Sequence, residues 1–380
     1  MRVLGACSLG GAGHWGPLSA VLAAARRRGD AVAVVAPTTM EPMVRRAGFE
    51  WLDGSEPTEA QIAPIREQLP ILDAKSAAVL GNRELFGRLA TTAMLPAVRR
   101  VVGAWRPDLI VRDPCEYASA VVAAEVNVRV LQVAISRSDG EWTSIDAASP
   151  ALEEHREGLT EAVRATPYLT RFPASMDPER FSTTVRVRER RAGARPLPDW
   201  WGGSDRPLLY ATFGTVLGHM SIAVSSLAVL LEAVDAVDAR VLLTTGAEVD
   251  PEALGPAPSN VVLRRWVDQD DIVAVASAVV CHGGSATTLG ALASGRPVVV
   301  VPMFADQFDN AWMVQRAGVG VAVDRGRDGE RRPLDRADVA PIRAGVESVM
   351  GDSEHRRQAE RVAAEMAAAS EIESVLSEWA

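Results

Sequence analysis

The chain has 380 residues, enough for two domains, and its 48% hydrophobic and 23% charged content is that of an ordinary globular protein. A net charge of −9, with no lysine or arginine cluster interleaved with aromatics, argues against nucleic-acid binding. Cys7, Cys115 and Cys281 are far apart and offer neither metal-ligand spacing nor a disulfide framework, and no apolar run reaches membrane-spanning length, so a reducing cytoplasm is expected.

The chain begins directly with an apolar strand, Arg2 to Ala6, without a signal-peptide layout. A glycine-rich loop follows, then a helix from about Trp15 to Arg28 and a strand from Ala31 to Ala36. Residues 38–47 read as helix and Phe49 to Leu52 as a short strand. This βαβ order predicts a parallel sheet. Residues 53–75 read as an irregular insertion with one short helix, and residues 76–104 as helix, broken near Gly81 or Gly87. The strand Leu109 to Val111 ends just before Asp113, and a helix (Ala118 to Glu125) and a strand (Val128 to Ala134) follow. Residues 135–150 read as a polar loop carrying Trp142, and Ala151 to Arg164 as helix.

Charge, proline and glycine combine in residues 188–206, where a linker is placed. The alternation then restarts, with a strand ending at Thr212, a loop at Phe213-Gly214-Thr215, a helix from Ser221 to Val237, and strands at Arg240 to Thr245 and Val261 to Leu263. The strand Ala278 to Cys281 runs into His282-Gly283-Gly284-Ser285, with Thr287 and Thr288 close behind. A small-residue helix, Leu289 to Ser294, leads to the buried-type strand Val298 to Val301 and the polar cluster Asp306, Gln307 and Asn310. Residues 335–350 and 354–376 show helical spacing. Two α/β halves, each with a glycine-bearing loop after its first strand, predict paired Rossmann-like domains facing a cleft.

Four groups of residues carry chemistry. Gly11-x-Gly13-x-x-Gly16 matches the dinucleotide fingerprint, but the second strand ends in Val35-Ala36-Pro37, with no acid to hold a ribose and Trp15 in the turn. These glycines are read as loop geometry, and no nicotinamide or flavin cofactor is expected. His14 and Asp113 both follow carboxyl ends of strands, where an open parallel sheet brings residues to one crevice. An imidazole held by a carboxylate is a general base, while helix capping by both residues explains the spacing equally well. His282 before two glycines and small hydroxyls fits a pyrophosphate at a helix N-terminus. Trp266 can stack on a flat base; Asp268-Gln269-Asp270 matches a metal-binding DxD pattern but fits helix capping better, with Asp270-Asp271 as the cap, so no metal is expected.

Trp266 with Gln269, His282-Gly283-Gly284, Thr287-Thr288-Leu289, Gly295-Arg296-Pro297, Pro302, and Asp306-Gln307 with Asn310 resemble the donor-binding signature of family 1 glycosyltransferases. Tyr210 to Thr215 resembles the strand and loop that open the same donor domain. Gly13-His14 with Pro17, and Pro107-Asp108-Leu109 up to Asp113, resemble the acceptor domain, so the resemblance covers both halves and is nearest to bacterial enzymes that glycosylate antibiotics. It implies a two-domain GT-B fold: residues 1–190 bind acceptor, 191–206 link, 207–360 bind the nucleotide sugar, and 361–380 form a helix crossing back to the N-terminal domain. It also implies inverting, metal-independent sugar transfer. Trp266, with Val267 and Gln269, would hold the base. His282, Gly283, Gly284, Ser285 and Thr287 would hold the pyrophosphate, Asp306 and Gln307 the sugar, and Thr212, Gly214 and Thr215 would line the same site. His14 would deprotonate the acceptor hydroxyl and Asp113 would stabilise the imidazolium.

One departure from the signature is informative. Plant-type members carry a glutamate that binds both ribose hydroxyls, and here Gly290 takes that position, while Ser285 and Ala286 replace a Trp and an Asn. A thymidine-diphosphate deoxysugar donor is therefore expected ahead of a uridine-diphosphate one. Segments 53–93 and 135–150 are expected to shape the acceptor pocket around a hydrophobic aglycone, and Trp15, Phe86 and Trp142 suit its apolar walls and core packing equally. Neither a membrane nor a nucleic acid is an expected partner, and a homodimer is left open. The rival readings are carbon glycosylation on the same fold, a nicotinamide or flavin oxidoreductase, and a catalytically silent helper, which would not need to retain His14 and Asp113.

Overall fold

The structure, a computed structural model, describes residues 1–9, 11–190, 195, 206–325 and 333–379. The chain divides into two compact units, Met1–Arg190 with Ala369–Ala380, and Arg191–Ala368. The linker expected at 191–206 lies outside the described residues apart from Arg195 and Arg206.

The first unit opens with β1 (Arg2–Ala6), α1 (Ala12–Arg27), β2 (Ala31–Ala36), α2 (Glu41–Arg46) and β3 (Glu50–Asp53). Next come α3 (Glu59–Gln68), α4 (Ala74–Leu80) and α5 (Thr91–Trp105), the last two joined by a π-helical stretch, Gly81–Ala90. Then follow β4 (Leu109–Arg112), α6 (Ala118–Val126), β5 (Arg129–Val133), α7 (Ser138–His155), α8 (Leu159–Arg164), β6 (Tyr168–Thr170) and β7 (Thr184–Arg188). The second unit runs β8 (Leu208–Thr212), α9 (Ala223–Val234), β9 (Arg240–Thr244), β10 (Val261–Arg264), α10 (Gln269–Val273), β11 (Ala278–Cys281) and α11 (Ser285–Leu292). It ends with β12 (Val298–Val300), α12 (Gln307–Arg316), β13 (Gly320–Ala322), α13 (Arg336–Gly351) and α14 (Ser353–Ala368). The chain then returns to the first unit as β14 (Ser370–Glu371) and α15 (Ile372–Ser377).

Both sheets are parallel throughout. The first has the order β3-β2-β1-β4-β5-β6-β7-β14 and the second β10-β9-β8-β11-β12-β13. Strands covered on both faces must be apolar on both faces, and β4, β8, β11 and β12 are buried along their whole length. Each order reverses direction once, between β1 and β4 in one unit and between β8 and β11 in the other. There the helices leave on opposite faces of the sheet, and a crevice opens beyond the strand ends.

Several local expectations are corrected. Residues 138–155 form the helix α7, not a loop: Ile145, Ala148, Ala151 and Leu152 make its buried stripe. Gly140, Pro150 and six hydroxyl or acidic residues in 138–146 disguise that stripe in the sequence. Residues 53–75 hold α3 and the start of α4, more helix than expected. The break foreseen near Gly81 or Gly87 is a widening of the helix, not an interruption. The continuous helix expected over 354–376 stops at Ala368, and β14 pairs with β7 before α15 begins. That last segment is fixed to the first unit by Arg188, which donates to Ala369 O and pairs with Glu371 at 2.7 Å, and by an Arg27–Glu373 pair. Ile372, Val375 and Leu376 complete a core shared with β1, α1 and β4.

Candidate functional site

The described site residues collect at the two switch points. In the first unit, His14 stands in the first turn of α1, after β1, and Asp113 directly follows β4. His14 Nδ1 lies 3.1 Å from Asp113 Oδ1. An ionised carboxylate can only accept, so Nδ1 carries a hydrogen, and in the neutral ring the acceptor is then Nε2. Capping by His14 or Asp113 is not what the helices use: the N-cap residue of α1 is Gly11, and the first turn of α6 is bonded by Glu116, which accepts from the Ser119 N–H at 3.0 Å. Asp113 is fully buried and also accepts from the N–H of Ser8 (2.6 Å) and of Cys115 (2.8 Å). Burial opposes its charge, but the facing His14 and these hydrogen bonds outweigh burial and hold the carboxyl below its ordinary value.

The loop that aims Asp113 is held from beneath by a residue that sequence reasoning missed. Arg112, wholly buried at the end of β4, donates to the carbonyls of Pro114 and Glu116 and to Gln132 Oε1. A charged residue closing an otherwise apolar strand was the available signal. The Cys115 thiol joins His14 and Asp113 in a group whose ligand atoms lie within 4.8 Å of one another. Burial, then the charges of Asp113 and Glu141, push that thiol well up, so it stands beside the pair as a neutral thiol.

The three aromatics expected as acceptor walls part company. Phe86, on the π-helical stretch, stacks on the His14 ring with centroids 5.6 Å apart. Trp142, on α7, is half-buried and packs edge-on against Phe181. Trp15 does not line a site: it is buried in the core, edge-on to Phe49. A Cβ on Gly16 would meet nothing within 4 Å, so this glycine is not required for close packing of α1 on the sheet, the task of the third glycine in a dinucleotide fingerprint.

In the second unit, Thr212 ends β8 and His282 follows β11. Thr212 Oγ1 accepts from the Gly214 N–H (3.1 Å) and from Thr244 Oγ1 (2.7 Å), bracing the loop that carries exposed Thr215. The His282 ring lies between two glycines: a Cβ on Gly214 would come within 2.7 Å of it and one on Gly284 within 2.4 Å. Gly214 and Gly283 both have positive φ, so glycine is required there twice over, for space and for backbone. His282 is buried with no charged neighbour, burial pushes its pKa down to about 4, and Nδ1 has no hydrogen-bond partner. It is a neutral imidazole with a single N–H to offer.

The first N–H groups of α11, from Ser285 to Thr287, have no carbonyl one turn back within the helix and suit an anion. Ser285 Oγ donates to Asp306 Oδ2 at 3.0 Å. Gln307 is buried, and its carbonyl oxygen accepts from the Met303 and Phe304 N–H groups, so that oxygen braces a loop and is not free for a ligand. Trp266 projects from the loop after β10 and is 66% exposed, while Val267 and Gln269 beside it are half-buried. Asp268 caps α10 by accepting from the Asp270 N–H, and pairs with Arg195 at 2.6 Å. The cap is thus Asp268, not the expected Asp270-Asp271, and the carboxylate that opens the DxD pattern is already committed.

Comparison with known proteins covers most of the chain. Residues 23–214 match the N-terminal domain of the erythromycin biosynthesis protein CIII-like family, and residues 228–378 match its C-terminal domain. The chain is 31% identical over 378 residues to L-demethylnoviosyl transferase of Streptomyces niveus, covering 97% of this chain and 94% of that protein. It is 31% identical over 352 residues to the elloramycin glycosyltransferase ElmGT of Streptomyces olivaceus, covering 84% and 85%. Its fold matches that of the spinosyn rhamnosyltransferase SpnG, solved with thymidine diphosphate, with a TM-score of 0.78 at 20% identity over 100% of this chain and 99% of that one.

Proposed function

This chain belongs to the erythromycin biosynthesis protein CIII-like family of GT-B, nucleotide-sugar-dependent glycosyltransferases of natural-product biosynthesis, and we propose that it moves a deoxysugar from a thymidine-diphosphate donor to a hydroxyl of a hydrophobic aglycone. The observation that carries the reading is the His14–Asp113 pair, which leaves Nε2 bare to take a proton. His14 removes the acceptor hydroxyl's proton as the oxygen attacks the anomeric carbon. Asp113 stabilises the imidazolium that forms. The bond from the anomeric carbon to the diphosphate breaks in the same step, and one displacement inverts that carbon.

Negative charge grows on the departing diphosphate. The N–H groups that open α11 and the single N–H of His282 oppose it, and such preoriented donors serve where a metal otherwise would. Exposed Trp266 offers its face to the base, with Val267 and Gln269 beside it, and Asp306 takes a sugar hydroxyl. Thr215, exposed beside Gly214, lines the same loop. No cofactor beyond the donor is required.

Thymidine is preferred because Gly290 on α11 offers no carboxylate to a ribose 2′-hydroxyl. The thymidine diphosphate found with SpnG supports the same choice. Phe86 on the His14 ring and half-buried Trp142 favour an apolar acceptor. A thermal-shift and calorimetric series with TDP, UDP and GDP tests the donor. TDP should raise the melting temperature most, because a ligand that binds only the folded chain stabilises it. UDP binding much more tightly than TDP would refute the assignment.

A further inference from the structure

The loops after β11 and β12 are joined by a hydrogen-bonded chain. Asn310 Nδ2 donates to Gly283 O (2.8 Å), to Asp306 Oδ2 (3.1 Å) and to Ser285 Oγ (3.2 Å). Ser285 Oγ donates in turn to the same Oδ2 at 3.0 Å. Asn310 is wholly buried, and Ser285 nearly so. Both donors fall on Oδ2, so they fix the rotation of the Asp306 side chain and leave Oδ1 without a bond from either of them. The backbone is constrained as well: Ala305, just before Asp306, sits at φ +55°, a left-handed conformation that a residue with a Cβ adopts at a cost.

We infer that Ser285 and Asn310 are positioning residues that aim Asp306 at one sugar hydroxyl and tie that contact to the Gly283 loop, which makes Ser285 a determinant of sugar selectivity. The inference rests on the donor reading above and deepens it. Gln307 cannot share the task through its carbonyl oxygen, which the Met303 and Phe304 N–H groups occupy. A single oriented carboxylate reads one hydroxyl by accepting from it. A sugar that lacks that hydroxyl leaves the half-buried carboxylate short of a partner, and an unpaired buried acceptor is costly. The resemblance to family 1 places a tryptophan where Ser285 stands, and an indole ring has no hydroxyl to give to Asp306. Burial raises the Asp306 pKa, and the bonds from Ser285 and Asn310 pull it back. Loss of either bond therefore moves Asp306 titration to higher pH.

The test compares calorimetric affinities for TDP alone with those for TDP-glucose and TDP-rhamnose, in the wild-type chain and in Ser285→Ala, Ser285→Thr and Asn310→Ala. The ratio of sugar-nucleotide to TDP affinity isolates the sugar contact. In the wild type at least one sugar should raise affinity above TDP. Ser285→Ala, which keeps the backbone N–H that opens α11 and loses only the hydroxyl bonded to Asp306, should cut that gain about tenfold, the scale of one hydrogen bond to a charged group, with a smaller loss of TDP affinity. Ser285→Thr, which restores the hydroxyl, should recover the gain, and the pH at which the gain is lost should rise in Ser285→Ala. Equal losses for TDP and its sugars in Ser285→Ala would overturn the inference, as would a gain untouched by Ser285→Ala and Asn310→Ala, or no gain in the wild type. Absence of TDP binding to the wild type would instead refute the donor reading on which the inference stands.

Discussion

The two units place a histidine at the same topological point and give it opposite surroundings. His14 follows the first strand of its sheet and faces a buried carboxylate 3.1 Å away. His282 follows the fourth strand of its own sheet and faces glycines, with no charge near enough to matter. The sheet decides where each ring sits; the neighbours decide what it can do. A carboxylate partner makes a ring suited to accept and hold a proton. A buried seat without one makes a ring that stays neutral, with one N–H to donate and no charge to hold.

Breaking the first half of the comparison should have the largest effect. His14→Ala removes the base and should lower turnover about 10²–10⁴-fold, with TDP affinity unchanged by calorimetry. Turnover at the wild-type rate would exclude His14 from the mechanism. Asp113→Asn keeps the shape but not the charge and should cost about 10²-fold in kcat. A loss seen in KM alone would mean that Asp113 positions the acceptor rather than the base.

The second half is sharpened by pH. The folded value of His282, about 4, lies below the ordinary 6.5, so the unfolded chain binds this proton first. Stability is therefore intact above about pH 6.5 and falls as pH drops through about 4, by about 2–3 kcal/mol. Denaturant titrations at about pH 7.5 and about pH 4.5 should show that part of the loss vanishing in His282→Gln. An identical acid loss in both proteins would mean that the ring is solvated. The smallest effect is expected from Gly284→Ala. Its Cβ would press on the imidazole from 2.4 Å, with Gly214 behind the ring, and should cost about 2 kcal/mol of stability together with weaker TDP binding. Wild-type melting and affinity would show that the ring can give way.

Much of this contrast was legible in the sequence. Doubly covered parallel strands must be continuous apolar runs, so the central strands of both sheets stood out, and with them the loops that carry His14, Asp113, Gly214 and His282. The shortest strands did not. β6, β13 and β14 are two or three residues long and carry no period of their own. Residue type also concealed use. Trp15 and Trp142 look alike as large aromatics near a glycine loop and in a polar stretch, but Trp15 lies on the sheet-facing side of α1 and is consumed by the core. Gln307 reads as a sugar ligand, and only coordinates show its oxygen bound to two backbone N–H groups. Asn310 stood in the signature, and its bond to Asp306 was legible from spacing, because it lies four residues after Asp306 and such residues share a helix face.

The last dozen residues have a consequence for biogenesis. They add an edge strand, a helix and three buried apolar side chains to the unit whose other strands were synthesised first. During translation the second unit has all its strands before the first has its last one. The early-made half therefore waits with an open sheet edge at β7 and an uncovered core until residues 370–377 have been made, an interval in which a nascent protein needs protection from aggregation.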